Sequence, residues 1–268
     1  MATQRYPQFF MLGDSHIQYS SRLRDGFSFG AGLAEHVERR LDVTTRGLNG
    51  YNTSNVMAIL EAIIPPTSCA KIDYLLLLFG SNDSCLPESS TNQHVPLVWF
   101  RKNLGDIISH HLVRAHDPVI LLVTPPPINE SQLEIEDMKK GHSLLTRHQS
   151  FTAQYANAVR ELVEESKNKK VVLIDLWSAL LRKAAGSFPP DAEGDALLGS
   201  REKGDSEGLR ELLVDGLHLS GAGYKVFLDE ILPALGSGWT NSDKDKESWV
   251  FPRWEVAPSS SDINEAWP

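Results

Sequence analysis

Two residues that lie far apart in this chain have the chemistry of a nucleophile and its base. Ser15 follows the apolar run 9–12 and Gly13, where a tight turn can present a hydroxyl at the end of a buried strand. A serine hydroxyl becomes an effective nucleophile only when an adjacent base takes its proton. His218 can act as that base, because free histidine has a pKa of ~6.5. Asp215 precedes it by three residues and could orient its ring. An Asp-x-x-His turn is common by chance, so it gains meaning only beside the serine.

A reaction at Ser15 would also need hydrogen-bond donors for the negative charge that develops on a carbonyl oxygen. Asn82 carries a side-chain amide in the loop 80–83, directly after the apolar run 74–79. Gly50 offers a backbone N–H that a ligand can approach closely, since no Cβ intervenes. The backbone N–H of Ser15 is a third candidate. Asn82 alone would be interpreted as an ordinary turn residue, but its place in order with the other candidates favours a shared oxyanion site.

Short apolar runs would place these residues at one edge of a sheet. The runs alternate with stretches of helical periodicity, which predicts a doubly wound α/β fold with a five-stranded parallel sheet between two helical layers. In such sheets ligands bind at the carboxyl ends of the strands, and the loops with Ser15, Gly50 and Asn82 follow the first three runs. The runs are residues 8–12, 43–45, 74–79, 119–123 and 171–174.

Helix signals are clearest in three stretches. One apolar stripe spans residues 56–63, with an N-cap at 52–54 and two prolines at 65–66 that stop it. Another stripe spans residues 155–163, and a final helix is expected over 221–235. The intervening segments 125–142 and 185–210 are predicted as long loops, each of which could be a lid or a pocket wall.

The C-terminal segment 237–268 is predicted as a tail that follows a single domain over residues 1–236. This tail is polar but contains Trp239, Trp249, Trp254 and Trp267. Aromatic side chains of this size favour docking, either on the chain's own domain or on a second subunit.

Composition excludes several classes of partner. The net charge of -9 argues against nucleic acid and anionic membranes, and no window approaches eighteen apolar residues. The N-terminus has no apolar core typical of a secretory signal. Cys69 and Cys85 do not make a disulfide framework, so a cytoplasmic location is expected. A small-molecule partner is expected, and a homo-oligomer is left open.

Two competing motifs are rejected. Residues 204–208 fit the Gly-x-Ser-x-Gly pattern around Ser206, but the charged, flexible residues before it are not the buried strand that a nucleophile elbow requires. The spacings of the histidines match no compact set of metal ligands; these are His110, His111, His116, His142 and His148. No dinucleotide or phosphate-binding fingerprint follows a predicted strand. We therefore expect neither a cofactor nor a metal.

Four blocks in order resemble the SGNH (GDSL-type) hydrolases, and the isoamyl acetate-hydrolysing esterase group in particular. They are Gly13-Asp14-Ser15 and residues 46–53, 80–83 and 215–220, with further matches at 94–97, 103–104, 124–127, 175–177 and 252–254. The resemblance covers nearly the whole chain. It implies a flavodoxin-like fold and metal-independent ester hydrolysis. It also implies Ser15 as nucleophile and first oxyanion donor, Gly50 and Asn82 as further donors, His218 as base and Asp215 as its orienting residue.

The chain departs from the family pattern directly after the serine. His16 occupies a position where the family usually has an apolar residue or threonine. It is grouped with Asp14 and Asp83 as a candidate pocket residue, although a hydrogen-bonded histidine without a catalytic role is the favoured interpretation. The segment 185–210 is also long for this group.

The resulting prediction is a serine esterase that hydrolyses short-chain acyl esters, acetyl esters in particular, of small alcohols or metabolites through an acyl-enzyme. One alternative is an acyltransferase or a deacetylase that acts on a larger natural product or sugar, since the same serine and histidine would serve. Another is a ligand-binding module on a flavodoxin-like scaffold, because fold does not determine function.

Overall fold

Five strands form the central sheet of this computed structural model, which describes residues 6–186, 196–236, 239 and 248–257. The strands are β1 (Gln8–Gly13), β2 (Asp42–Gly47), β3 (Ile72–Leu78), β4 (Val119–Val123) and β5 (Val171–Ile174). All neighbouring pairs are parallel, and the strand order is β2-β1-β3-β4-β5. The predicted five-stranded parallel sheet is confirmed.

The carboxyl ends of the first three strands are level with one another. Gly13 at the end of β1 pairs with Gly47 on β2 and with Leu78 on β3. The chain leaves β1 toward β2 on one side and returns to β3 on the other, so the strand order reverses beside β1. Such a switch point is where open α/β sheets bind ligands. The loops after these strands therefore meet at one edge, as the sequence predicts.

Helices cover both faces of the sheet. In the described part of the chain they are α1 (Ser15–Tyr19), α2 (Phe29–His36), α3 (Thr53–Ile63), α4 (Leu97–Ser109), α5 (His111–His116), α6 (Glu130–Lys139), α7 (Gln149–Glu165), α8 (Leu176–Ala185), α9 (Glu207–Leu212) and α10 (Gly221–Ile231). Helices α2, α8, α9 and α10 pack on one face, and α3, α4, α5 and α7 pack on the other. The three layers are those of the predicted α/β/α fold.

The alternation of side chains along β1 shows why both faces are covered. Phe9 and Met11 belong to the apolar core on one side of the sheet, and Phe10 and Leu12 belong to the core on the other. All four are buried, because successive side chains of a strand point to opposite faces. Burial of each contributes about 2 kcal/mol to folding, which holds β1 firmly beneath the loop that carries Ser15.

Local signals place the ends of the predicted helices. The Asn52 side chain accepts the N–H of Asn55 at 2.9 Å and caps α3, which ends before Pro65. Ser220 caps α10 by accepting the N–H of Gly223 at 3.1 Å. Side-chain caps of this kind typically contribute ~1 kcal/mol. Both capped helix starts lie next to motif loops, so the caps also position those loops.

The segment 125–142 is not the long loop that its prolines and charges suggest. It contains α6, which the sequence prediction missed because few of its residues are apolar. Leu133 of α6 packs with Ile128, Leu145 and Leu217 in a small separate apolar cluster. This insertion therefore packs against the turn that precedes His218.

The segment 185–210 is not a loop over its whole predicted length, because its last residues are helical. Helix α8 ends at Ala185, and α9 already begins at Glu207. Ser206 is the N-cap of α9 and accepts the N–H of Leu209 at 3.2 Å, so the rejected Gly-x-Ser-x-Gly serine caps a helix after a turn. The middle of this segment, 187–195, lies outside the described residues.

Described parts of the C-terminal tail contact the domain. The Arg39 guanidinium lies 4.0 Å from the ring centre of Trp249 and donates to the Pro252 carbonyl at 2.9 Å. Trp239 packs edge-on against Tyr74, with the ring centres 6.3 Å apart. Trp254 is exposed, and Trp267 lies outside the described residues. In the described ranges, no helix combines the length and hydrophobicity needed to span a membrane.

Candidate active site

Ser15 is placed by a sharp turn at the end of β1. Asp14 caps α1, because its Oδ1 accepts the N–H of His16 at 2.9 Å, and Ser15 is the first residue of that short helix. A Cβ at Gly13 would lie 2.4 Å from Ile17 Cγ1 and 2.5 Å from the Leu78 carbonyl oxygen. Glycine is therefore required for α1 to begin so close to the sheet, which brings the Ser15 hydroxyl over its carboxyl edge.

The structure brings Ser15, His218 and Asp215 into one hydrogen-bonded chain. His218 Nε2 lies 3.0 Å from Ser15 Oγ, and His218 Nδ1 lies 2.7 Å from Asp215 Oδ2. The other carboxylate oxygen, Oδ1, accepts the N–H of His218 at 2.8 Å and that of Leu217 at 3.1 Å. The backbone of its own turn thus fixes the Asp215 carboxylate, and the carboxylate fixes the orientation of the imidazole ring.

The turn that carries His218 is held by neighbouring elements. Gly216 has a φ of +81°, and its carbonyl accepts the N–H of Asn129 at 2.9 Å. A Cβ at Gly216 would lie 2.5 Å from the backbone nitrogen of Leu133 on α6. A side chain here would have to displace α6 and strain the backbone. Glycine therefore lets α6 support the Asp215–His218 turn at close range.

The environment of His218 favours the neutral base. Burial lowers the pKa of His218 below its usual value, the hydrogen bond to Asp215 opposes this, and the charge of His16 lowers it further. Burial raises the pKa of Asp215, but the hydrogen bond and charge of His218 outweigh this and hold it below its usual range. At neutral pH, Nδ1–H of His218 is therefore donated to the carboxylate and Nε2 can accept the Ser15 proton.

The two predicted oxyanion donors lie on the loops of the strands that flank β1. Asn82 follows β3 and donates from Nδ2 to the Tyr51 carbonyl at 2.8 Å, leaving one Nδ2 hydrogen free for a ligand. Gly50 follows β2 with a φ of +81°, and its carbonyl accepts from Gln93 Nε2 at 2.8 Å. The structure thus places both predicted donors at the same sheet edge as Ser15.

The three candidate pocket residues are buried beneath the site. Asp14, His16 and Asp83 each have no exposed surface. His16 Nδ1 lies 3.0 Å from Asp14 Oδ1, and Nε2 lies 3.2 Å from the Leu217 carbonyl oxygen. These contacts tie the loop of Ser15 to the turn of His218. They agree with the interpretation of His16 as a hydrogen-bonded residue.

Asp83 connects the loop after β3 to the start of α3. Its Oδ1 accepts the Thr53 N–H at 2.9 Å and the Thr53 hydroxyl at 2.5 Å. Burial raises the pKa of Asp83 to about 7 against the opposing hydrogen bonds from Thr53. This contact couples the position of Asn82, its sequence neighbour, to the helix that follows Gly50.

An aromatic ring packs beside His218, and two arginines lie against that ring. The Tyr19 ring centre lies 5.3 Å from that of His218. The guanidinium groups of Arg22 and Arg24 lie 3.9 Å and 5.2 Å from the Tyr19 ring centre. None of these three residues was singled out by the sequence, because nothing in their spacing marks them as neighbours of His218.

Among the residues that the structure describes, one group of metal-ligand type lies away from Ser15. Glu61, His110 and His111 offer ligand atoms within 4.8 Å of one another, a grouping across α3 and α5 that the spacing of the histidines alone did not indicate. His111 and Glu61 are exposed, and His110 Nδ1 already accepts the Leu112 N–H at 3.4 Å. Glu61 lies in the last turns of α3, whose first residue approaches the site. The group therefore has no contact with the Ser15 hydroxyl.

A serine at the β1 switch point, together with the four ordered motif blocks on this three-layer fold, defines the class of SGNH hydrolases. The profile of the GDSL-like lipase/acylhydrolase family matches residues 11–226 of the chain. The chain belongs to this family, and it is a carboxylic ester hydrolase.

Relatives of this chain match most of its length. It is 30% identical over 267 residues to the isoamyl acetate-hydrolyzing esterase 1 homolog of Mus musculus, covering 98% of this chain and 90% of that one. It is 32% identical over 231 residues to a GDSL esterase/lipase of Arabidopsis thaliana, covering 84% of each. A catalytic mutant of an acetylxylan esterase from Geobacillus stearothermophilus shares the fold, with a TM-score of 0.60 at 18% identity over 90% of this chain and all of that one.

Proposed function

We propose that the protein hydrolyses short-chain acyl esters, acetyl esters in particular, through an acyl-enzyme on Ser15. The observation that carries this proposal is the hydrogen-bonded chain from Ser15 Oγ through both ring nitrogens of His218 to Asp215. That chain supplies a nucleophile, a base and an orienting carboxylate in one contact series. A ligand-binding module would need none of these contacts.

The reaction follows from the geometry. Ser15 Oγ attacks the ester carbonyl while His218 Nε2 takes the hydroxyl proton, and Asp215 stabilises the imidazolium that forms. The negative charge on the former carbonyl oxygen is met by the N–H groups of Ser15 and Gly50 and by the Asn82 amide. His218 then returns the proton to the departing alcohol. Water attacks the acyl-enzyme in the second half, with His218 again as the base.

A small acyl group is supported by two observations. Ser15 is only 3% exposed and Asn82 only 4%, so little of either residue is open to a bulky acyl group. The relatives point the same way, because one is named as a homolog of an isoamyl acetate-hydrolyzing esterase and a structural neighbour is named as an acetylxylan esterase. Both descriptions name acetyl esters, although their alcohol parts differ greatly in size.

The proposal is tested with Ser15→Ala on a series of 4-nitrophenyl esters of increasing acyl length. We expect the wild type to prefer acetate over octanoate, and Ser15→Ala to lose at least ~10⁴-fold in kcat, as removal of a serine nucleophile does elsewhere. Quenching the wild type during turnover should leave one acetyl group on the peptide that contains Ser15. The matched control is Ser206→Ala, which removes the serine of the competing motif.

Two results would contradict the proposal. Turnover retained by Ser15→Ala, with loss in Ser206→Ala, would move the nucleophile to the other motif. A flat profile over acyl length would leave the serine mechanism intact but remove the preference for small acyl groups.

A further inference from the structure

A buried arginine contacts the candidate oxyanion site from behind. Arg147 precedes α7 and is 5% exposed. Its Nη2 donates to Asn82 Oδ1 at 3.2 Å, and its Nε donates to the Ser81 carbonyl at 2.6 Å. The guanidinium therefore holds both the side chain of Asn82 and the backbone just before it.

The same guanidinium reaches the second donor loop through one intermediary. Arg147 Nη2 also donates to Gln93 Oε1 at 3.4 Å, and Gln93 Nε2 donates to the Gly50 carbonyl at 2.8 Å. A single side chain thus joins the loops after β2 and β3, which carry Gly50 and Asn82. These loops are far apart in sequence but must hold their donors at a common point.

The chemistry of these contacts determines which way the Asn82 amide faces. A guanidinium only donates, so the Asn82 atom toward Arg147 must be the oxygen. The Tyr51 carbonyl only accepts, so the atom toward it must be the nitrogen. Arg147 and the Tyr51 carbonyl thus favour the same orientation, and without Arg147 only the Tyr51 contact would oppose a half-turn that presents the amide oxygen to a developing oxyanion. The arginine therefore adds a second contact that opposes an orientation which would repel the transition state.

The charge of Arg147 is not neutralised by the groups that it contacts. Its fourth contact is to the Thr146 hydroxyl at 2.9 Å, and all four acceptors of its N–H groups are neutral oxygens. A buried cation that is paired only with neutral dipoles is costly to fold. In a region of low dielectric, its positive charge acts on the nearby Asn82 amide and polarises it as a donor.

We propose that Arg147 is a positioning residue that fixes the Asn82 amide, and through Gln93 the Gly50 loop, as oxyanion donors and strengthens them with its charge. The proposal rests on the function proposed above. On this proposal, the burial of Arg147 costs folding free energy but stabilises the transition state of the reaction.

A double-mutant cycle on 4-nitrophenyl acetate tests the proposal, with kcat expressed per folded enzyme. We expect Asn82→Ala to lower kcat by about 10²-fold or more, as loss of one oxyanion donor does. We expect Arg147→Met to lower kcat by ~10-fold or more with KM changed less than ~3-fold, since the lost interaction is made in the transition state. Once Asn82 is alanine, Arg147→Met should cost less than ~3-fold, because its target is gone.

A merely structural arginine would give a different pattern. Its replacement would lower the melting temperature, and its effect on kcat would be the same in both backgrounds. That additive result, or an unchanged kcat in folded Arg147→Met, would overturn the proposal. Arg160→Met is the matched control, because Arg160 also makes several hydrogen bonds, to Asp175, Asn157 and Ser178, without contacting an oxyanion donor. It should lose stability and keep kcat.

If Arg147→Met does not fold, the same cycle is run with Arg147→Lys. Lysine keeps the charge but has no planar fork to hold Asn82 and Ser81 together. We therefore expect Arg147→Lys to lower kcat when Asn82 is present and to have little effect on kcat in the Asn82→Ala background. Failure of the proposed function is distinguished by Ser15→Ala. If that variant is active, the function proposal is wrong; if it is inactive while the cycle is additive, only the role of Arg147 is wrong.

Discussion

Two imidazole–carboxylate pairs lie side by side in this molecule, and only one of them faces the Ser15 hydroxyl. Asp215 and His218 are 2.7 Å apart, and Asp14 and His16 are 3.0 Å apart. The two imidazole ring centres are separated by only 5.6 Å. The side chains of the first pair are 20% and 15% exposed, whereas those of the second have no exposed surface.

The difference between the pairs lies in what each Nε2 contacts. His218 Nε2 faces the Ser15 hydroxyl, which can donate as well as accept, so a neutral ring satisfies the contact. His16 Nε2 faces the Leu217 carbonyl, which only accepts. Both ring nitrogens of His16 therefore lie against oxygen atoms, of Asp14 and Leu217. The same two residue types therefore place a proton acceptor against a hydroxyl in one pair and form a fully buried structural contact in the other.

The largest expected effect comes from replacing Asp215, the carboxylate of the pair that faces Ser15. Asp215→Asn should lower kcat by ~10⁴-fold, because an amide in place of the triad carboxylate favours the wrong imidazole tautomer and leaves the imidazolium unsupported. The measurement is steady-state hydrolysis of 4-nitrophenyl acetate. An equal loss in Asp14→Asn would contradict the division of roles between the pairs.

A smaller effect is expected on the free energy of unfolding, where the buried pair should matter more than the pair that faces Ser15. His16→Gln should lower the free energy of unfolding by ~3 kcal/mol, because it leaves buried polar atoms of Asp14 and Leu217 without their ring contacts. His218→Gln should change it by less than ~1 kcal/mol, since its pair is partly exposed. Urea unfolding of both variants at neutral pH measures the difference. If the two variants are equally stable, the buried pair has no special structural role.

The smallest effect is a shift of the pH profile. His16 lowers the pKa of His218, and hydrolysis requires neutral His218, so His16→Gln should raise that pKa and move the acidic limb of kcat/KM to higher pH. The other groups that face His218 are Asp215, Asp14 and Tyr19, with Arg22 and Arg24 behind the tyrosine ring; all remain in the variant.

A matched control for this shift is another buried histidine. His116 is 1% exposed, and its ring nitrogens contact the Ile72 N–H and the Pro65 carbonyl. His116→Gln should cost stability while leaving the acidic limb in place. If His16→Gln leaves the limb unchanged or lowers it, the charge of His16 does not act on His218.

The sequence predicts well which loops meet at the site, because parallel strands bring their carboxyl ends together at one edge of the sheet. Once the run 74–79 is taken as a strand covered on both faces, the loops with Ser15, Gly50 and Asn82 must meet. The cap at Asn52 and the final helix follow from equally local signals. Helix α6 was missed, since its few apolar residues contact a small cluster and not the main core.

Contacts to backbone atoms could not be predicted in the same way. The acceptor for His16 Nε2 is a carbonyl 201 residues away, and a main-chain oxygen leaves no trace in residue types. Arg147 was missed for the same reason, because its shortest contact is to the Ser81 carbonyl. Both side chains are polar residues in stretches without distinctive spacing, and only the folded chain shows what they hold.

The 203-residue separation between Ser15 and His218 makes hydrolysis a reporter of completed folding. A refolding chain closes this contact only after the sheet has formed and α10 has docked on it, since the turn of His218 leads directly into that helix. Partly folded forms that lack the docked helix retain the nucleophile but have no base. Recovery of activity after dilution from denaturant therefore reports when this long-range contact closes, and the spectroscopic signal of helix content should recover earlier.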